Sequence, residues 1–240
     1  VAVNQSESWP DQLSDLLAKE GLDVKVVNGG IPGFNTSQEA EYLPELLEAI
    51  PNVKMVVLAY IVNDAEPQLC VPTHPKDAYV SVDVWITEPL KMLFNLASSV
   101  LGSEKRLIEK KRTHRFQYVE GFHKDSFKWR ESMAGLESIK KQCDERNILL
   151  RVVMVPDFTQ EFGDSYSLSI IHERVMEWGS DLNIKTIDLL PTFRTEDSSR
   201  LRVKGEGHPN ADGQRKIASC ISKFLESDKD IFRTKDDSNL

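Results

Sequence analysis

The sequence predicts a mixed α/β protein built on a parallel sheet with helices on both faces. Three observations predict it. Apolar runs of strand length alternate with amphipathic helical segments along the chain. Two of the runs, residues 53–60 and 149–155, read as strands buried on both faces. The runs lead into loops rich in Gly, Asn or Pro, where an open α/β sheet carries its chemistry.

Taken in order, residues 9–19 read as a helix, with Leu13, Leu16 and Leu17 on one face and Gly21 as its stop. Residues 24–27 read as a short strand, and 28–35 as a glycine-rich loop. Thr36 is placed to cap the next helix, and Glu39 to complete a capping box. That helix reaches about residue 50, with Leu43, Leu46, Leu47 and Ile50 inward. The strand at 53–60 follows. Further on come a helix at 127–146, a strand at 149–155 ended by Pro156, a helix at 168–181, a strand at 184–189 and a last helix at 211–225. The alternation breaks over about 73–121, which reads as a helical insertion. It holds an apolar helix near 90–101 and a basic stretch at 105–115, taken as a solvated helix face rather than a membrane-binding one. The expected organisation is one domain over 1–227 carrying that insertion, with a polar, frayed tail at 228–240.

Composition narrows the function. A net charge of −8 argues against nonspecific nucleic-acid binding, which neutralises phosphates with Lys and Arg. Apolar residues are 40% and charged residues 28%, ordinary for a globular protein. No run of about 18 apolar residues occurs, so no transmembrane segment is expected. Cys70, Cys143 and Cys220 form no CxxC pair, which gives no zinc or thioredoxin-type site and leaves the redox compartment and localisation open. No metal or cofactor is implied.

Three loops follow three of the expected strands. The first is Asn28-Gly29-Gly30-Ile31-Pro32-Gly33-Phe34-Asn35, the second Ile61-Val62-Asn63-Asp64, and the third ends in Gly205-Glu206-Gly207-His208-Pro209-Asn210. Parallel strands put all three on one rim. A backbone amide at Gly33, a carboxamide at Asn63 and an imidazole at His208 are the parts of an oxyanion hole and a general base. Each alone is an ordinary turn or cap; their order along the chain carries the reading.

These residues resemble the four-block pattern of the SGNH/GDSL hydrolases, three-layer α/β/α enzymes with a flavodoxin-like parallel sheet. The 28–33 loop with Thr36 and Ser37 resembles the Gly block, Val62-Asn63-Asp64 the Asn block, and His208-Pro209-Asn210-Ala211-Asp212-Gly213 the His block. Ser8-Trp9-Pro10 with Leu13 is similar to the segment that follows the Ser block. The resemblance implies a serine esterase or acylhydrolase acting through an acyl-enzyme on a small-molecule, glycan or lipid ester. Gly33 and Asn63 would be oxyanion donors, and His208 the base. It also implies that the Gly-Asp-Ser block, with the first strand, lies ahead of Val1, so that this chain alone is inactive.

Two positions depart from the pattern. Ile61 stands where the family has Gly, and Gly205 where it has the triad Asp. Glu206 is the nearest carboxylate; it either orients His208 or is a solvated loop charge. These departures support a rival reading, a degenerate member that binds a glycan or partner without hydrolysis. A phosphate loop at 29–33 is a weaker rival, since it lacks G-x-G-x-x-G spacing and Pro32 removes a donor. Gly163-Asp164-Ser165 spells the nucleophile motif but lies past a strand end and after the Asn block, so Ser165 or Ser167 is read as a helix cap, with Ser165 as the lesser alternative for the nucleophile. In the strand order 2-1-3-4-5 the first strand separates its two neighbours. Residues 24–27 and 53–60 are therefore expected to stand roughly 10 Å apart, without direct pairing.

Overall fold

The computed structural model describes residues 3–65, 119, 122–123 and 126–232. Nearly all of the expected insertion, Cys70 and the last eight residues lie outside the described residues. Strands β1 (Met55–Tyr60), β2 (Leu149–Met154) and β3 (Lys185–Asp188) form a parallel sheet in the order β1-β2-β3. Five longer helices accompany it: α1 (Trp9–Lys19), α2 (Thr36–Ala49), α3 (Phe127–Glu145), α4 (Ser169–Asp181) and α5 (Ala211–Phe224). Tyr60 pairs with Met154, which pairs with Asp188, and Val57 pairs with Arg151, which pairs with Lys185.

That register fixes which side chains share a face, because successive residues of a strand point to opposite sides. On one face, the Tyr60 ring meets Trp178 of α4, and its hydroxyl hydrogen-bonds Ser132 of α3 at 2.7 Å. On the same face Thr186 lies against Gly179 of α4, where an added Cβ would strike its side chain. On the other face Lys185 donates to the carbonyl of Phe224, at the end of α5. Helices α3 and α4 pack against the sheet, α1 packs on α5 and α2 packs on α3. The core runs through Leu13, Leu17, Leu136, Val153, Ile171 and Ile217, each at most 1% exposed.

Gly135 makes the α2–α3 contact close. A Cβ there would sit 2.8 Å from the carbonyl of Thr36 and 2.9 Å from the amide of Ser37. The start of α2, which follows the glycine loop, is thereby pressed onto α3.

Three expectations are corrected. Residues 24–27 form no strand; the segment is extended, but Val24 N–H bonds Leu22 O and Val26 N–H bonds Ser14 Oγ, so no ladder runs through it. A strand needs a neighbour, and none of the described residues supplies one. The cap of α2 is Asn35, not Thr36: Asn35 Oδ1 accepts from Gln38 N–H at 3.0 Å, and Gln38 Oε1 accepts from Asn35 N–H at 3.1 Å. Ser165 and Ser167 do not cap α4, which begins after Leu168 without a side-chain cap; Ser167 N–H and Oγ both bond Gln160 Oε1 instead.

The described start of the tail also differs from a frayed end. Glu226–Phe232 is a 3-10 segment held by charge. Asp228 accepts from Arg151 at 2.8 and 2.9 Å and from Lys185 at 2.9 Å, and buried Lys229 pairs with Glu20 and Glu226. The sheet places Arg151 and Lys185 side by side on one face, and Asp228 is the anion between them. The Arg151 guanidinium, with Lys185, holds the Asp228 carboxyl down at about 2. A depressed carboxylate pKa stabilises the fold above its unfolded value and loses that effect as pH falls through the folded one. Asp228→Asn is therefore expected to cost on the order of 2 kcal/mol at pH 7. In urea titrations the deficit should shrink between about pH 4 and pH 2.

Candidate functional site at the carboxyl edge of the sheet

β1 ends at Tyr60 and turns through Ile61–Asp64. Buried Asp64 makes the turn: its Oδ2 accepts from Ile61 N–H at 2.7 Å, and its N–H bonds Ile61 O at 3.0 Å. Its carbonyl accepts from Thr36 N–H at 3.3 Å and Thr36 Oγ1 at 3.2 Å. This ties the turn that carries Asn63 to the helix start that follows Gly33. Gly33 has φ +83, a conformation glycine adopts without the Cβ penalty. Among the described residues neither the Gly33 N–H nor the half-buried Asn63 side chain makes a hydrogen bond. Two donors on segments bonded to each other are thus uncommitted.

His208 sits on a separate loop. Val203 N–H bonds His208 O at 2.9 Å, and Arg202 bridges Pro209 in a short antiparallel contact, with Gly205 in the turn at φ +85. Asn210 fixes the loop to α5. Its Oδ1 accepts from Asp212 and Gly213 N–H at 3.1 and 3.0 Å, while its amide donates to Arg200 O at 2.8 Å. Arg202 then donates to the carbonyls of Phe158 and Thr159, in the loop just past β2, at 3.1 and 3.0 Å. The imidazole is therefore carried at the carboxyl end of β2, the same edge of the sheet as Asn63. His208 Nδ1 lies 3.2 Å from Glu206 Oε2, with side chains 74% and 55% exposed. No hydrogen bond or ion pair among the described residues joins His208 to Asn63 or to Gly33.

Two features escape sequence reading. Asp64 and Glu39 are a buried carboxyl pair next to Tyr60. Burial, then the charge of Glu39, raises the Asp64 carboxyl well above the carboxylate range, and burial raises Glu39 to about 7. Glu39 Oε2 is buried without a hydrogen-bond partner. A raised acid pKa lowers stability as pH climbs from the unfolded value to the folded one. Glu39→Gln is therefore expected to raise the melting temperature at pH 8 and to leave it nearly unchanged at pH 4. The sequence offered only the spacing that suggested a capping box.

The second feature is a buried chain. Asp188 Oδ1 lies 2.6 Å from His172 Nδ1, His172 Nε2 lies 3.0 Å from Tyr166 OH, and that hydroxyl accepts from Asp157 N–H at 2.8 Å. It braces the ends of β2 and β3 against α4. His172 is 2% exposed and both its nitrogens are occupied, whereas Ser165 is exposed and makes no hydrogen bond with it. The signal in the sequence was His172 beside Ile171 and Val175 on the inward face of a helix.

Among the described residues no group of His, Cys, Asp and Glu is arranged to hold a metal ion, and no helix is long and apolar enough to cross a membrane. The chain matches no family model and no curated protein.

Proposed function

We propose that this chain is the greater part of a serine esterase or acylhydrolase of the SGNH/GDSL type, with a three-layer flavodoxin-like fold. The nucleophilic serine would lie on a strand ahead of Val1. The observation that carries the proposal is the His208–Glu206 contact at 3.2 Å. With Nδ1 directed to a carboxylate, His208 Nε2 is left to accept a proton, the arrangement a general base requires. The uncommitted Gly33 N–H and Asn63 carboxamide support it as oxyanion donors.

The steps follow. The serine hydroxyl adds to the ester carbonyl while its proton passes to His208 Nε2. The negative oxygen of the tetrahedral intermediate is held by Gly33 N–H and Asn63. His208 returns the proton to the departing alcohol, leaving an acyl-serine. Water then adds with His208 again as base, and the carboxylic acid leaves. The ester is a small-molecule, glycan or lipid one.

The test is turnover of a short-chain nitrophenyl ester. The chain alone is expected to be inactive, and the chain preceded by a Gly-Asp-Ser-bearing strand active, with or without Ser165→Ala. Turnover by the chain alone that Ser165→Ala abolishes would overturn the assignment. A folded, extended protein with no turnover would favour a binding module, the reading that Ile61 and Gly205 also fit.

A further inference from the structure

A chain of hydrogen bonds starts at the end of β3, passes through α4 and comes back out to the His208 hairpin. At its inner end, Asp188 Oδ1 accepts from Leu190 N–H at 2.8 Å and lies 2.6 Å from His172 Nδ1. His172 Nε2 lies 3.0 Å from Tyr166 OH, which accepts from Asp157 N–H at 2.8 Å. Followed from Asp157, the hydrogens run one way: the amide donates to the phenol, the phenol to Nε2, and Nδ1–H to the carboxylate. Each contact uses one hydrogen and none is left over. Tyr166 and His172 are 5% and 2% exposed, so water does not compete for these bonds.

The chain continues past the Asp157 amide. Asp157 folds the next turn with its own carboxylate: Oδ1 accepts from Thr159 N–H at 2.8 Å and Oδ2 from Thr159 Oγ1 at 2.6 Å. That turn presents the carbonyls of Phe158 and Thr159 to Arg202 Nη1, at 3.1 and 3.0 Å. Arg202 bridges Pro209, and the next residue, Val203, donates its N–H to His208 O. The same turn touches the hairpin a second time. A Cβ on Gly207, the residue before His208, would lie 2.4 Å from Thr159 Cγ2. Two contacts with one turn thus bracket His208, and Tyr166 holds the start of that turn.

Apolar packing alone would keep α4 on the sheet, and a buried polar group costs free energy unless it is bonded. Hydrogen bonds add direction, since each fixes a donor and an acceptor at about 3 Å and near a straight line. A general base has to be held to well within about 1 Å of its working place. The hairpin cannot supply that by burial, because Lys204, Gly205 and Glu206 are all exposed.

We propose that Asp188, His172, Tyr166 and Asp157 are positioning residues for His208, acting through Arg202. None of them touches the imidazole. They carry the frame of the sheet out to it, so the ring's place is set from the carboxyl ends of β2 and β3. The inference rests on the esterase reading only for calling His208 the base; the placement is a property of this chain.

The test uses the chain itself, without substrate. Amide exchange at Val203 is compared with that at Leu149, whose N–H bonds Lys54 O at the other end of the sheet, and the ring nitrogen signals of His208 are followed by NMR. Tyr166→Phe removes one hydroxyl and keeps the ring. Arg202→Met cuts the last link, on the hairpin and outside the core. Each is expected to raise exchange at Val203 relative to Leu149 about tenfold and to move the His208 signals. Ile171→Val, on the same helix as His172 but off the chain, should lower the melting temperature while leaving that ratio within about twofold. The double variant should exceed the larger single effect by no more than about twofold, because both substitutions cut one path. Unmoved His208 signals in folded Tyr166→Phe would overturn the proposal. So would an equal response to Ile171→Val, or single effects that multiply. If Tyr166→Phe does not fold, Asp157→Ala, nearer the surface, makes the same comparison with the same outcomes. Turnover plays no part in the readout, so absence of esterase activity would sink that reading and leave this one standing.

Discussion

In the protein completed by a serine-bearing strand, His208→Ala is expected to lower kcat/KM about 10³-fold or more, with Glu206→Ala losing only about 10-fold. The difference follows from exposure. In the proposed mechanism His208 takes the serine's proton. Glu206 meets it only where both side chains are largely in water, 74% and 55% exposed. Water screens that contact, and a solvated ion pair contributes little. The His208 loop is meanwhile held by Asn210, Arg202 and the Val203–His208 backbone bond, none of which needs Glu206. Steady-state kinetics on a nitrophenyl ester checks both variants. Equal losses would make Glu206 a full triad member.

Gly213→Ala is expected to destabilise the chain by about 1–3 kcal/mol despite the better helix propensity of Ala. An added Cβ would overlap the carbonyl of Leu201 and crowd the Pro209 ring and Phe158. Backbone cannot yield as a side-chain tip can, so α5 would move away from the 201–209 hairpin. That hairpin carries His208, so activity of the completed protein should fall as well. Urea unfolding measures the first effect, and kcat/KM below the unfolding range the second. Gly207→Ala is a milder comparison, because its Cβ would meet the tip of Thr159 rather than backbone.

The alternation of helices and strands was legible in the sequence, since apolar periodicity is local. β1, β2 and β3 fall inside the expected runs, and all five longer helices begin and end within about one residue of their expected limits. Glycine and asparagine positions were legible for the same reason. The structure gives Gly33 and Gly205 positive φ and makes Asn210 a helix cap.

What the sequence could not decide depends on partners far along the chain. Residues 24–27 have the composition of a strand, yet a strand is defined by a neighbour's hydrogen bonds, and none of the described residues pairs with them. Thr36 has the right chemistry for a cap, but Gly135 of α3 and Asp64 draw it across the fold and leave the cap to Asn35. Asp228 and Lys229 read as a polar tail until the register of the sheet sets Arg151 beside Lys185 and gives them a partner. The sequence by itself marked His208, Asn63 and Gly33 as candidate sources of imidazole, carboxamide and backbone amide, because residue identity needs no fold. Only the tertiary structure decided that Glu206 reaches His208, that Asp64 ties the Asn63 turn to the glycine loop, and that His172 is spent on Asp188 and Tyr166. Hydrogen bonds act over about 3 Å, and only packing brings such distant residues that close.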